Sequence, residues 1–206
     1  MSRKAFDKLT SAGGIVIVVV LLVAGGLLTW GHSFVNSQVH NQLAEQQIYF
    51  PPKAAFEHPN GTEITKSMTP VVSQYAGQEM LTGQQAEVYA DHFIAVHLSE
   101  MPYKGVYSKV SAASLAAPKN TALAAEVQTV FRGTTLRGLL LEAYSFWKIG
   151  QVMLWGAIAS FALALVMAVL VGLGLAHASR TEPETEFLTD RGKGTGTAPG
   201  TVSPAS

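Results

Sequence analysis

Two stretches of the chain, "SAGGIVIVVVLLVAGGLLTWG" over residues 11–31 and "IGQVMLWGAIASFALALVMAVLVGLGLA" over residues 149–176, contain no charged side chain. A bilayer core of roughly 30 Å takes about 20 helical residues at 1.5 Å each, so either stretch is long enough to span one. Mean hydropathy is positive (+0.24) and only 14% of residues are charged, which is unusual for a soluble protein. The predicted class is therefore an all-α membrane protein, with two transmembrane helices extended into a mainly helical extracytoplasmic domain.

Arg3, Lys4 and Lys8 precede the first stretch, as basic residues do in a signal peptide. The stretch is longer than the usual signal core of about 7–15 residues, and no A-x-A-like cleavage site follows it, so it reads as an uncleaved anchor. Arg180, Arg191 and Lys193 follow the second stretch, and the long intervening segment does not count towards the positive-inside bias. Both termini are thus expected in the cytoplasm of a cell whose plasma membrane holds the protein. The expected division is a cytoplasmic N-terminus (1–10), a first span (11–31), a helical extracytoplasmic domain (32–148), a second span (149–176) and a disordered cytoplasmic tail (177–206). The tail is rich in Gly, Thr, Pro and Ser and cannot bury enough apolar surface to offset its ordering entropy. Trp30, Trp147 and Trp155 stand where interfacial aromatics are expected.

Between the spans, Phe34, Val35, Val39 and Leu43 recur at helical spacing and predict a stem over 32–47, stopped by Pro51 and Pro52. A loop to about Thr82 follows, marked by Pro59-Asn60-Gly61, Pro70 and Gly77. Asn60-Gly61-Thr62 fits a glycosylation acceptor, and an Asn-Gly turn equally well. Helices are predicted over 84–101 and 107–116. A last one, capped by Asn120 or Thr121, meets no proline before Pro183 and should enter the membrane unbroken.

Chemistry is sparse. Basic and acidic residues balance at 14 each, so no bulk field draws nucleic acid, and the absence of cysteine excludes disulfides, thiolate metal sites and a cysteine nucleophile. No G-x-S-x-G elbow, phosphate loop or dinucleotide fingerprint occurs, and nothing calls for a cofactor. The segment "GQQAEVYADHFIAVHLSEM" is the one candidate polar site, through His92, His97 and Glu100. On a 3.6-residue period Ala86, Tyr89, Ala90, Phe93, Ile94, His97 and Met101 share a face, with His92 turned away. His92 and His97 are five apart, outside the i, i+4 geometry that puts two imidazoles on one metal. The reading is a partly buried His97 hydrogen-bonded to a neighbour such as Glu100; a metal site recruiting His58, His40 or His32 is the alternative. His32 and His40, eight apart, lie on roughly the same side of the stem and are too far separated to share one ion.

The sharpest pattern is in the second span, where Gly156, Ser160, Ala164, Ala168, Gly172 and Ala176 recur every fourth residue. Such a ridge winds slowly round the helix, so about three neighbours can face one partner. In lipid, small-xxx-small ridges let helices approach closely, which makes this the candidate helix-packing interface. Gly14 or the Gly25-Gly26 pair of the first span could meet it, or a neighbouring subunit could.

The chain also resembles a largely uncharacterised family of actinobacterial two-pass membrane proteins. The resemblance rests on "VNSQVHNQLAEQQI", "GQQAEVYADHFIAVHL", "GVYSKVSAASLA" and "TVFRGTTLRGLLLEAYSFWKIGQVMLWGAIA". It covers most of residues 10–176 and implies two spans and a bacterial source. His97 and Tyr107 match the family's histidine and turn aromatic, with Val106 in place of its threonine. Members are sometimes labelled aromatic ring-opening dioxygenases, a reaction that needs two histidines and a carboxylate on iron; the His92/His97 spacing supplies no such triad.

The expected function is a non-enzymatic accessory or structural subunit whose partners are the lipid bilayer and either its own copies, as a homo-oligomer, or other membrane subunits. The alternatives are an extracytoplasmic ligand-binding domain, with Tyr49, Phe50, Phe56 and Tyr75 around a pocket or filling a core, and a metal-dependent enzyme using His97 with His92 or His58.

Overall fold

A computed structural model describes residues 3–59 and 63–180. The Asn60-Gly61-Thr62 triplet and residues 181–206 of the expected tail lie outside the described residues. The chain is mostly helical, and two of its helices are long and apolar enough to cross a membrane: α1 (Arg3–Gln46) and α7 (Thr121–Arg180). The described residues fall into two compact units, one of residues 3–22 with 162–180, the other of residues 23–59 with 63–161.

In the larger unit α1 ends where Gln47 turns to φ 50°, just ahead of Pro51 and Pro52. The segment expected as a structureless loop holds two short helices, α2 (Lys53–Glu57) and α3 (Thr69–Val72), with a 3₁₀ turn Ser73–Tyr75. Its two ends are laced together: Phe50 N–H donates to Gln78 at 2.9 Å, Met80 N–H to Ile48 at 2.8 Å and Gly77 N–H to Pro51 at 3.0 Å. These bonds satisfy backbone groups that a buried loop would otherwise leave orphaned.

Helix α4 (Gly83–Tyr89) begins with a capping box, Thr82 accepting from Gln85 N–H at 3.2 Å while Gln85 accepts from Thr82 N–H at 3.0 Å. It runs through a π turn (Ala90–Ile94) into α5 (Ala95–Glu100). After a tight turn, Pro102–Gly105, come α6 (Tyr107–Ala116) and α7, whose start is capped by Asn120 accepting from Leu123 N–H at 3.0 Å. Nothing breaks α7 before Arg180, so His177–Arg180, assigned to the tail from composition, are helical.

Leu43, Met68, Val72, Met80, Ala86 and Leu140 are fully or almost fully buried and bring α1, α3, α4 and α7 into one core. Trp147, expected at a membrane interface, is half-buried and packs against this core beside Gly83. Hydropathy alone cannot separate an interfacial tryptophan from one that fills a helix crossing. On the open side of α7, Gly138 has no neighbour that an added methyl would meet. Gly138→Ala is therefore expected to stabilise the protein by roughly 0.5–1 kcal/mol through reduced backbone freedom, read as a raised thermal unfolding midpoint in detergent.

In the smaller unit the two helices meet through small side chains. Gly14 faces Val171, and Ser11 lies beside Gly174. Ser11, Gly14 and Ala164 are buried there, while Ile15, Val16, Leu163 and Leu165 point outward.

Candidate functional site

The polar segment resolves first. His97 Nδ1 lies 2.8 Å from the Phe93 carbonyl, and since a carbonyl only accepts, that nitrogen carries the proton. The ring also meets Phe93 edge-on at 4.6 Å. Glu100, expected as its partner, is exposed, and the bond is made instead one turn back along the same helix. Among the described residues no three His, Asp or Glu side chains converge into a metal-holding group. His92 is half-buried.

The π turn explains how the buried face keeps Ala86, Ala90 and Ile94 of the predicted one and takes in Leu98. Ala86, Ala90, Ile94 and Leu98 are the buried positions, every fourth residue, with Val88 beside them. On a regular α-helix twelve residues at this spacing would drift by about 120°. A wider i→i+5 turn slows the rotation and holds the four in line. Tyr89 and Phe93 move to the flank, where they extend a run of ring contacts: Tyr75 to Phe50 at 5.2 Å, Phe50 to Tyr89 at 5.4 Å and Tyr89 to Phe93 at 4.7 Å. Burial raises the Tyr89 phenol above its usual value, so it stays neutral. Phe50 and Phe56 are core side chains and Tyr49 is exposed. Asp91, within the π turn, accepts from Arg137 Nε at 3.1 Å and from its Nη2. Both side chains are more than a third exposed, so this pair contributes no more than about 1 kcal/mol.

The paired helices are the more informative surface. Along α1 the positions turned from solvent include Ser11, Gly14, Val18 and Leu21 in the smaller unit and Gly25, Leu28, His32, Val35 and Val39 in the larger, a repeat of seven within each. Along α7 the sevenfold series is Ala143, Gly150 and Ala157 in the larger unit and Ala164 and Val171 in the smaller. A 3.5-residue repeat is the seam of a left-handed helix pair, and small residues on it permit close approach. Within Val23–Phe161 a methyl on Gly25 would come 2.8 Å from the Phe161 ring and one on Gly156 3.2 Å from Leu28. His32 Nδ1 donates to the Gly150 carbonyl at 2.9 Å, whereas His40 is exposed, so the two stem histidines do not share a side.

The six residues of the fourfold ridge are divided by this seam. Ala164 is buried and Gly156 and Ser160 are half-buried; Ala168, Gly172 and Ala176 are exposed, with open space around Gly172. A fourfold row and a 3.5-residue seam diverge along one helix, so no single partner can cover the whole row.

Beyond the seam, in the larger unit, α1 and α7 leave a groove of about 420 Å³. Phe34, Gln38, Gln42 and Gln46 line it from α1, and Glu142 and Phe146 from α7. The glutamines follow Phe34 at i+4, i+8 and i+12, a polar ladder that the sequence displayed and that apolar periodicity passes over. Comparison with protein families, curated proteins and solved structures returns no match.

Proposed function

We propose that the chain is a two-pass membrane protein of the plasma membrane, with both termini cytoplasmic. Its helical head is extracytoplasmic, and it acts without catalysis as an interaction or accessory subunit that binds copies of itself or other membrane subunits. The kinship with actinobacterial two-pass proteins belongs to the same reading. The observation that carries it is the outward half of the ridge: Ala168, Gly172 and Ala176 present small side chains on a helix whose seam residues are already occupied. Large apolar neighbours around them, Val169 at 54% and Leu173 at 64% exposed, would be strongly unfavourable in water and are ordinary in lipid. There, association depends on how closely backbones can approach, which these residues allow.

Native mass measurement in mild detergent tests the interaction. A dimer or larger assembly is expected, reduced to monomer by Gly172→Leu and unaffected by Gly26→Leu, another position where an added side chain meets open space. A strictly monomeric, partnerless wild type would overturn the reading. Topology is tested separately by Lys119→Cys, the only thiol in a chain without cysteine, which a membrane-impermeant maleimide should label from outside intact cells.

A further inference from the structure

The groove between the α1 and α7 stems has a direction. Its end nearest the apolar runs is lined by Phe34 and Val35, Gln38 joins them one turn further out, and Gln42, Gln46 and Glu142 line the far end. Phe34 to Gln46 covers about 18 Å of helix at 1.5 Å per residue. At the apolar end, Phe34 stacks on Trp30 with ring centroids 5.6 Å apart, and both are more than half exposed. The groove floor thus continues an apolar surface that starts within the first hydrophobic run of the same unit.

We propose that this groove holds one acyl chain of an outer-leaflet lipid, lifted partly from the bilayer, whose uncharged, hydroxyl-bearing head is received by Gln42, Gln46 and Glu142. The inference rests on the membrane-spanning reading above. Its polarity matches a lipid standing in that leaflet, tail towards the membrane and head away. The volume suits a small-molecule ligand. It is too small to enclose a helix of equal length from a second copy, which with side chains would fill about 1,400–2,000 Å³ at a diameter of roughly 10–12 Å. The head chemistry follows from charge: no lysine or arginine lines the groove, and Glu142 is its one ionisable group. A phosphate beside that carboxylate would lose hydration and meet like charge, whereas sugar or glycerol hydroxyls can donate to Glu142 and both donate to and accept from the amides.

The test uses the full chain in phosphatidylcholine vesicles carrying a photoreactive diazirine on the acyl chain of either a glucosyl diacylglycerol or phosphatidylglycerol, with adducts mapped by peptide mass spectrometry. Adducts are expected on peptides covering 34–46 and 139–146, with the glucosyl probe exceeding the anionic one by about fivefold or more. Gln42→Trp, a substitution at an exposed position that fills the groove, should remove most of this labelling while leaving that of residues 11–31 intact. Glu142→Gln should raise phosphatidylglycerol labelling towards the glucosyl level, which a merely structural role for Glu142 would not do. Labelled spans with an unlabelled groove, equal labelling by the two probes, no effect of Gln42→Trp, or crosslinks from the groove to a second copy would each overturn this proposal alone. Spans that take no label would overturn the membrane reading and this inference with it.

Discussion

Gly105→Ala is expected to destabilise the protein by about 2–4 kcal/mol, from a strained left-handed backbone and a steric conflict acting together. Gly105 has φ 63° and follows two non-glycine residues already in the same region, Tyr103 at 56° and Lys104 at 55°. Three such residues in succession fold the chain back on the end of α5, so that a Cβ at 105 would meet the Leu98 carbonyl oxygen and lie 2.9 Å from its carbonyl carbon. Those are backbone atoms and cannot swing aside as a side-chain tip can. Leu98 is itself wedged against α7, where a methyl on Gly133 would come 2.9 Å from its Cδ2, so displacement at the turn is passed to the α5–α7 contact. Thermal unfolding of the full chain in detergent should fall by about 5–10 °C. Gly105→Asn separates the two causes: asparagine tolerates positive φ, so recovery would assign the loss to backbone strain, and an equal loss to the collision with Leu98.

Much of this architecture was legible because prolines and apolar runs punctuate the chain. Pro102 and Pro118 bracket α6, Pro51 and Pro52 follow the end of α1, and the proline-free stretch after Asn120 is one helix. The start of α4 carries a T-x-x-Q capping box, Thr82 with Gln85, which the prediction of a helix from 84 did not use. Other features carried no local signature. The π turn at Ala90–Ile94 adds no residue type that marks it; of the predicted face Ala86, Ala90 and Ile94 are buried, Tyr89, Phe93 and His97 are half-buried, and Leu98 joins the core unpredicted. Helices of four or five residues, as in α2 and α3, are too short to show a period at all. Reading α7 alone emphasised a fourfold row of small residues. The sevenfold seam of the larger unit becomes plain only when Gly25, His32 and Val39 of α1 are set against Ala143, Gly150 and Ala157 of α7, because a seam is a property of two surfaces.

Gly83→Ala is expected to cost about 1–3 kcal/mol, although the position looks permissive in sequence. It is the first residue of α4 and has no unusual φ, so alanine should be welcome there on propensity alone. Its surroundings decide otherwise. A Cβ would collide with Trp147 at that residue's own Cβ and Cγ, atoms fixed by the α7 backbone, and would lie 3.1 Å from the Ala143 carbonyl oxygen. Relief therefore requires α4 to retreat from α7, which disturbs the neighbouring core contacts of Ala86 and Leu140. Gly25→Ala provides the contrast: its added methyl meets only the outer ring atoms of Phe161, which is 42% exposed and can rotate away, so its unfolding midpoint should shift much less. Trp147 fluorescence supplies a local readout, provided Trp30 and Trp155 are first replaced by phenylalanine. In that background Gly83→Ala should shift the Trp147 emission to longer wavelength as the crossing opens to solvent, and an unchanged spectrum together with an unchanged midpoint would show that α4 and α7 are not held at this distance.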